Sequence, residues 1–364
     1  MANFLMPKGH VMHNGRRNEQ VDSPTVDEPL ENAGRTDVVL ERRVAVSRGP
    51  VGDIAAGSGG VVMANAGNDS VSVLDPTTLA VVDTIAVHGE PLAVAVSNDR
   101  AYVSVSGPSH DAVLVADLHS GAVLASYPVA FGVTALAVSP DGKRVYAGRA
   151  AQDRVDVAVI DVTAERVGTI EIGRGPAANI DALRVDPHGK RLYLGVTDED
   201  GSRLIVVDAE TSRVTRVLPI GSPIRDIAHA GGAVYVLTSD RLVGGAVQVV
   251  DLSTMRVTDK VNLGGAPTQL VMSADQARAY IVDYDRVAVL CTLSLDVIDS
   301  LKVDARPSCV AQGAGDGSRL YVADYAGGLS VFSVESSIAM LYSQFLATDP
   351  LALNAPRTRQ PVTV

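Results

Sequence analysis

The sequence predicts an all-β protein, a seven-bladed β-propeller with four antiparallel strands per blade, and three observations lead there. The first is composition. Hydrophobic residues make up 46% of the chain but aromatics only 4%, with no tryptophan. The core must therefore come from small and β-branched side chains, which suit pleated sheet. The second is an internal repeat led by tyrosine: "YVSV" at 102, "YAGR" at 146, "YLGV" at 193, "YVLT" at 235, "YIVD" at 280 and "YVAD" at 321, with "VMAN" at 62 in a seventh place. The third is that each period of roughly 40–50 residues holds four short apolar runs separated by turn residues, the signature of a propeller blade.

The second unit shows the strands in order. "PLAVAVS" (91–97), "AYVSVS" (101–106), "AVLVADL" (112–118) and "AVLASYPVA" (122–130) are strands a, b, c and d, counted outward from the axis. Strand a reverses into strand b through turns such as "SPDGKRVYAG" (139–148) and "DPHGKRLYLG" (186–195). Pro140 presets φ for the first central position, and Gly142 supplies the positive φ that closes a hairpin carrying a glycine bulge. The tyrosine on strand b is expected to fill space between blades while its hydroxyl reaches a polar rim. Strand c closes on an aspartate in "VLD" (73–75), "VAD" (115–117), "VID" (159–161), "VVD" (206–208) and "VVD" (249–251), with "VLC" (289–291) and "VFS" (331–333) as degenerate copies.

A chain of 364 residues would ordinarily suggest two domains, but nothing in its middle reads as a linker, and repeat folds outgrow the usual single-core limit. The predicted organisation is a disordered segment over 1–37, a propeller over 38–346 and a tail over 347–364. A ring of blades needs its two ends tied so that no long edge stays exposed. "DVVLERRVAVS" (37–47) matches strand d and is the expected closing strand; "SSIAMLYSQFL" (336–346) competes for the same place.

The repeat units resemble the YVTN repeat β-propellers of prokaryotes. The resemblance rests on "VMANAGNDSVSVLDPTTLAVVDTIAVHGEPLAVAVS" (62–97) and "GVTALAVSPDGKRVY" (132–146), and extends over about 43–346. It implies the fold and little about activity. Tryptophan-aspartate repeat propellers fit worse, as do the tryptophan-rich quinone-cofactor dehydrogenases, because this chain has no tryptophan.

Composition excludes several functions. A net charge of −11 argues against nucleic acid, whose binders need a basic stripe to displace counterions. The two cysteines, Cys291 and Cys309, make neither a disulfide framework nor a C-x-x-C metal site. No stretch approaches the roughly 18 apolar residues of a membrane span, and the first residues lack a signal peptide's apolar core. A cytoplasmic protein is expected, or an exported one if a leader has been removed. No G-x-S-x-G elbow, H-E-x-x-H helix or Walker loop occurs. The seven histidines are scattered, with only His88 and His110 on one face, and no cofactor is implied.

Function is therefore expected on loops. In a propeller the d→a and b→c connections gather on one face, and loops on a rigid scaffold are where recognition concentrates. The d→a connections place Arg48, His88, Glu90, Arg174, Arg225 and Arg306 around the channel mouth, and four arginines there would form a funnel of planar donors suited to carboxylate or phosphate. Along strand a, one column reads Asp53, Ala93, Ala135, Ala182, Asp226, Gln269 and Cys309, and the column two residues on is nearly all alanine except Arg184. Buried charge is costly unless paired, so Asp53, Asp226 and Arg184 are candidate channel-site residues; the alternative is that the aspartates cap backbone amides of the next blade. Asp198, Glu199 and Asp200 lack the spacing of a calcium loop and read as a solvated turn. The favoured function is a non-catalytic scaffold binding a protein partner or a small anionic ligand. The alternative is a lactonase-type hydrolase using Asp53, Asp226, Glu90 and His88.

Overall fold

The computed structural model describes residues 38–107, 111–130, 132–315 and 317–335. They form seven four-stranded antiparallel sheets, each in consecutive order except one, in which Val38–Ala45 lies beside Gly328–Val334. The chain is a seven-bladed propeller whose ring is closed by the N-terminal strand. Val38 pairs with Val334 and Ala45 with Gly328, so this strand is strand d of blade 7. The competing segment 336–346 and the expected disordered N-terminal and C-terminal segments lie outside the described residues.

Blade 2 has the predicted strands almost residue for residue: Glu90–Ser97, Arg100–Ser106, Asp111–Asp117 and Val123–Val129. The turn chemistry explains the boundaries. In blade 3, Gly142 N donates to Ser139 O at 2.8 Å, and Gly142 has φ of 69°, in the left-handed region that a side chain disfavours. The aspartates closing strand c cap the c→d turn. Asp75 Oδ1 accepts from the amides of Thr77 and Thr78, and Asp208 Oδ1 from those of Glu210 and Thr211. These hydrogen bonds hold both carboxyls below their usual range, and Asp251 is brought down to about 2, first by the Ser253 hydroxyl and then by the amide and hydroxyl of Thr254.

The core is divided among the seven junctions between blades. Tyr102 packs with blade 3, Tyr146 with blade 4, Tyr193 with blade 5, Tyr235 with blade 6, Tyr280 with blade 7 and Tyr321 with blade 1. The seventh junction, between blades 1 and 2, has Val62 where the others have tyrosine. The Tyr102 hydroxyl also reaches forward, donating to Gly142 O in the turn of blade 3 at 3.1 Å. At this junction the tyrosine both packs against the next blade and meets its turn. Two blades bring a glycine two residues after the tyrosine. A Cβ at Gly195 would lie 2.6 Å from Ile224 of the next blade, so the close approach of strand a requires glycine there.

Candidate functional site

Strand a of each blade lines a central channel, which holds a cavity of about 770 Å³. The predicted column exists: Asp53 pairs with Ala64, Ala135 with Gly148, Ala182 with Gly195, Asp226 with Leu237, Gln269 with Val282 and Cys309 with Ala323, equivalent positions of strand b. Two residues on stand Ala55, Ala95, Ala137, Ala228 and Ala311, with Arg184 in blade 4 and Val271 in blade 6 as the larger side chains.

The polar members of the column fasten blades. Asp53 Oδ1 accepts from its own strand at Ile54 N and Oδ2 from Val94 N of blade 2, both at 2.9 Å. Asp226 does the same across blades 5 and 6, with Ile227 N at 2.8 Å and Leu270 N at 2.9 Å. Gln269 extends the pattern: its Oε1 accepts from Val310 N of blade 7 at 2.6 Å, and its Nε2 donates to Asp53 Oδ1 at 3.2 Å. Arg184 of blade 4 donates through Nη2 to Asp226 Oδ1 at 2.7 Å. Each carboxylate therefore receives three donors: a backbone amide of its own strand, a backbone amide of the next blade and a side chain from a third blade. Such satisfaction is what allows a charge to persist in an enclosed site.

Burial nevertheless dominates their acidity. It pushes Asp53 up to about 6 against the opposing pull of its amide bonds and of Arg184. It raises Asp226 as well, with Arg184 opposing. Cys309, beside Asp53 and fully enclosed, has its thiol pushed well up, first by burial and then by that neighbouring charge. A carboxyl whose folded pKa is raised binds protons more tightly folded than unfolded, so its contribution to stability falls as pH rises from about 4 to about 6 and is level above. Replacing Asp53 by Asn removes this dependence. The stability of the parent relative to Asp53→Asn is expected to fall by about 2 kcal/mol between pH 4 and pH 7, measured by urea unfolding across that range; a constant difference would contradict the burial of this carboxyl.

Bulges aim a second set of side chains at the channel mouth. Register shifts skip Thr134, Asp181, Arg225 and Ser308 near the start of strand a in blades 3, 4, 5 and 7, and all four residues line the cavity. A bulge re-aims a side chain in this way. Arg225 is exposed there. Asp181, whose Oδ1 accepts from Asn179 at 2.8 Å, is raised by burial and drawn back partly by Arg225.

The expected arginines do not form one ring. Of the residues predicted on the d→a loops, Arg225 lines the cavity and Arg306 packs on Tyr325, itself a lining residue, while Arg48, His88, Glu90 and Arg174 are exposed and outside the lining. The physical reason is radial. Arg174 is the last residue of an outer strand d, so it sits at the rim, 4.0 Å from Glu171. There it borders a cleft of about 480 Å³ that also contains Arg149 and Asp156, a buried ion pair at 2.6 Å joining strands b and c of blade 3. Arg306 is held differently: its guanidinium carbon lies 4.4 Å from the ring centre of Tyr284 and 4.8 Å from that of Tyr325. The sequence did not single out Gln269, Asp181, the Arg149–Asp156 pair or the two tyrosines as site residues; the signals present were the departure of Gln269 from the small-residue column and the repeated Asp-Tyr pair at 283–284 and 324–325.

The hydrolase residues are brought together only in part. Asp53 and Asp226, on blades 1 and 5, line the same channel cavity, while His88 and Glu90 are exposed at the entry to blade 2 and outside that lining. Among the described residues no group of three histidine, cysteine, aspartate or glutamate side chains is placed to hold a metal ion. Asp198 instead pairs with Arg203 and accepts from Asp200 N, as a solvated turn does. His110 lies outside the described residues. No described helix is long and apolar enough to cross a membrane.

No family model matches the sequence. Two curated proteins do. The chain is 35% identical over 335 residues to the seven-bladed beta-propeller protein Rv1057 of Mycobacterium tuberculosis, covering 81% of this chain and 85% of that one. It is 49% identical over 310 residues to a seven-bladed beta-propeller protein of Mycolicibacterium smegmatis, covering 84% of each. Among solved structures it is similar to a chain of hydrazine synthase from Kuenenia stuttgartiensis, with a TM-score of 0.69 at 19% identity over 81% of this chain and 98% of that one. It is likewise similar to a chain of a mitotic checkpoint complex, with a TM-score of 0.70 at 16% identity over 89% and 100%. The last two likenesses bear on fold alone. With the repeat, the ring closure and the two curated relatives in agreement, the chain belongs to the family of seven-bladed β-propeller proteins.

Proposed function

We propose that this chain is a non-catalytic binding scaffold of the YVTN repeat type, receiving an anionic group of a protein partner or a small ligand on the face formed by its d→a and b→c loops. The supporting observation is the commitment of the channel carboxylates. Asp53 and Asp226 each accept from three donors, two of which come from other blades. Arg225 is then an exposed charged side chain on the cavity wall that no hydrogen bond among the described residues commits, whereas Arg184 there is paired with Asp226. A guanidinium presented at a polar opening offers planar donors to carboxylate or phosphate. The hydrolase reading draws on Asp53, whose pKa of about 6 would suit proton transfer; its oxygens are occupied by the bonds that hold blade 1 to blade 2.

Isothermal titration with citrate at low ionic strength tests the proposal. The parent is expected to bind, and Arg225→Ala to bind about fivefold more weakly, with the difference shrinking as salt screens the exposed charge. Equal affinities of parent and variant at low salt would overturn it.

A further inference from the structure

The stacked arginine of blade 7 is built more precisely than an exposed loop needs. "VDYD" (282–285) and "ADYA" (323–326) repeat an Asp-Tyr pair in the b→c loops of adjacent blades. In each pair the aspartate is buried and shapes the loop. Asp283 Oδ1 accepts from Ala266 N and Tyr284 N, both at 2.9 Å; Asp324 Oδ1 accepts from Ala326 N at 2.8 Å and Gly328 N at 2.9 Å. The loops close tightly on these carboxylates: a Cβ at Gly265 would lie 2.4 Å from Asp283 Oδ1, and one at Gly328 would lie 2.6 Å from Asp324 Oδ2. Both tyrosines are exposed, Tyr284 at 60% and Tyr325 at 44%, and Tyr325 also lines the channel cavity. Arg306 packs against both rings, and its carbonyl accepts from Tyr325 N at 3.0 Å.

Both ring centres lie close to the guanidinium carbon, at 4.4 Å and 4.8 Å. Among the described residues no hydrogen bond or ion pair takes up the N–H groups of Arg306, so an exposed fork of donors stands beside two phenol rings. That fork fits a carboxylate, and the rings fit apolar atoms next to it. The b→c loop of blade 5 adds Leu242 and Val243 on the same face, 96% and 71% exposed. Small ligands are bound in concave sites, whereas exposed tyrosine, arginine and aliphatic side chains spread over neighbouring loops have the composition of a protein-binding centre.

We propose that the b→c loops of blades 5 to 7 dock a protein partner through a segment in which an aspartate or glutamate stands beside apolar side chains, its carboxylate on the guanidinium of Arg306 beside Tyr284 and Tyr325. This rests on the scaffold reading and chooses a protein partner over a small anion. Because the loops are held by Asp283 and Asp324, the site is formed before binding, which limits the ordering cost.

Random peptides displayed on phage and selected on the full-length protein test it. The enriched peptides are expected to share an acidic residue flanked by aliphatic or aromatic ones. Synthetic copies should bind Arg306→Ala and Tyr284→Ala at least about tenfold more weakly than the parent, a loss typical of a central anchor. Arg306→Lys keeps the charge but not the planar fork and should recover little of that loss. Both loop positions are exposed, and an unchanged melting temperature checks that the variants fold. Failure to enrich peptides, enrichment without acidic residues, or equal peptide binding by parent and Arg306→Ala would each overturn the proposal. Citrate binding that depends on Arg225 would still leave the scaffold reading standing, so the two failures are distinguishable.

Discussion

Deleting residues 1–46 is expected to lower the melting temperature by about 10 °C and to promote aggregation, whereas deleting residues 1–36 leaves it unchanged. The longer deletion removes strand d of blade 7, whose pairing runs from Val38–Val334 to Ala45–Gly328. It also removes buried Val38 from the cluster it shares with Tyr280 and Phe332. Polar ties go with it: Glu41 pairs with Arg319, and Arg43 with Asp304 at 3.0 Å. These two are surface pairs and add little, so the loss comes mainly from the ladder, on the order of 5 kcal/mol at about 1 kcal/mol per hydrogen bond. In a chain of this size that corresponds to about 10 °C. The bared edge at Gly328–Val334 would then be free to pair with another chain. Calorimetry of the two truncations checks this; identical melting of both with the full-length chain would contradict closure by the N-terminal strand.

A comparable loss is expected from Asp226→Ala. The substitution leaves Leu270 N and Ile227 N without their acceptor and Arg184 without its counter-charge. Removing one partner of an enclosed, hydrogen-bonded pair costs about 3–5 kcal/mol, more than the pair's net worth, because the groups left behind stay desolvated. Asp226→Asn keeps one carbonyl acceptor and should cost less. Urea midpoints of both variants, with an unchanged slope, are the check; an Asp226→Ala midpoint equal to the parent's would mean that blades 5 and 6 are held together elsewhere.

Whatever depended on a short stretch of chain was legible in the sequence. Pro140 and Gly142 specify one turn, Asp75 and Asp208 cap others through amides two and three residues away, and the tyrosine repeat counts blades. The channel column could be read because strand a repeats in register, so that Asp53 and Asp226 stood out against alanine. Their role as fasteners was one of two readings that the sequence left open, since the amides they accept belong to blades about 40 residues further on. Radial position was not legible. Arg174 and Arg225 both follow a strand d in sequence, yet one ends an outer strand at the rim and the other occupies a bulge on the channel wall. The contact of Arg306 with Tyr284 was hidden for a similar reason: it joins loops of two blades, and neither loop alone signals it.

The central claim is that the channel carboxylates hold the blades together and that the ring works by binding. Elemental analysis of the purified full-length protein, after equilibration with divalent metals and removal of excess, tests it most directly. The account predicts well under one metal ion per chain, unaltered in Asp53→Asn and Asp226→Asn. One ion per chain in the parent, lost in either variant, would contradict it.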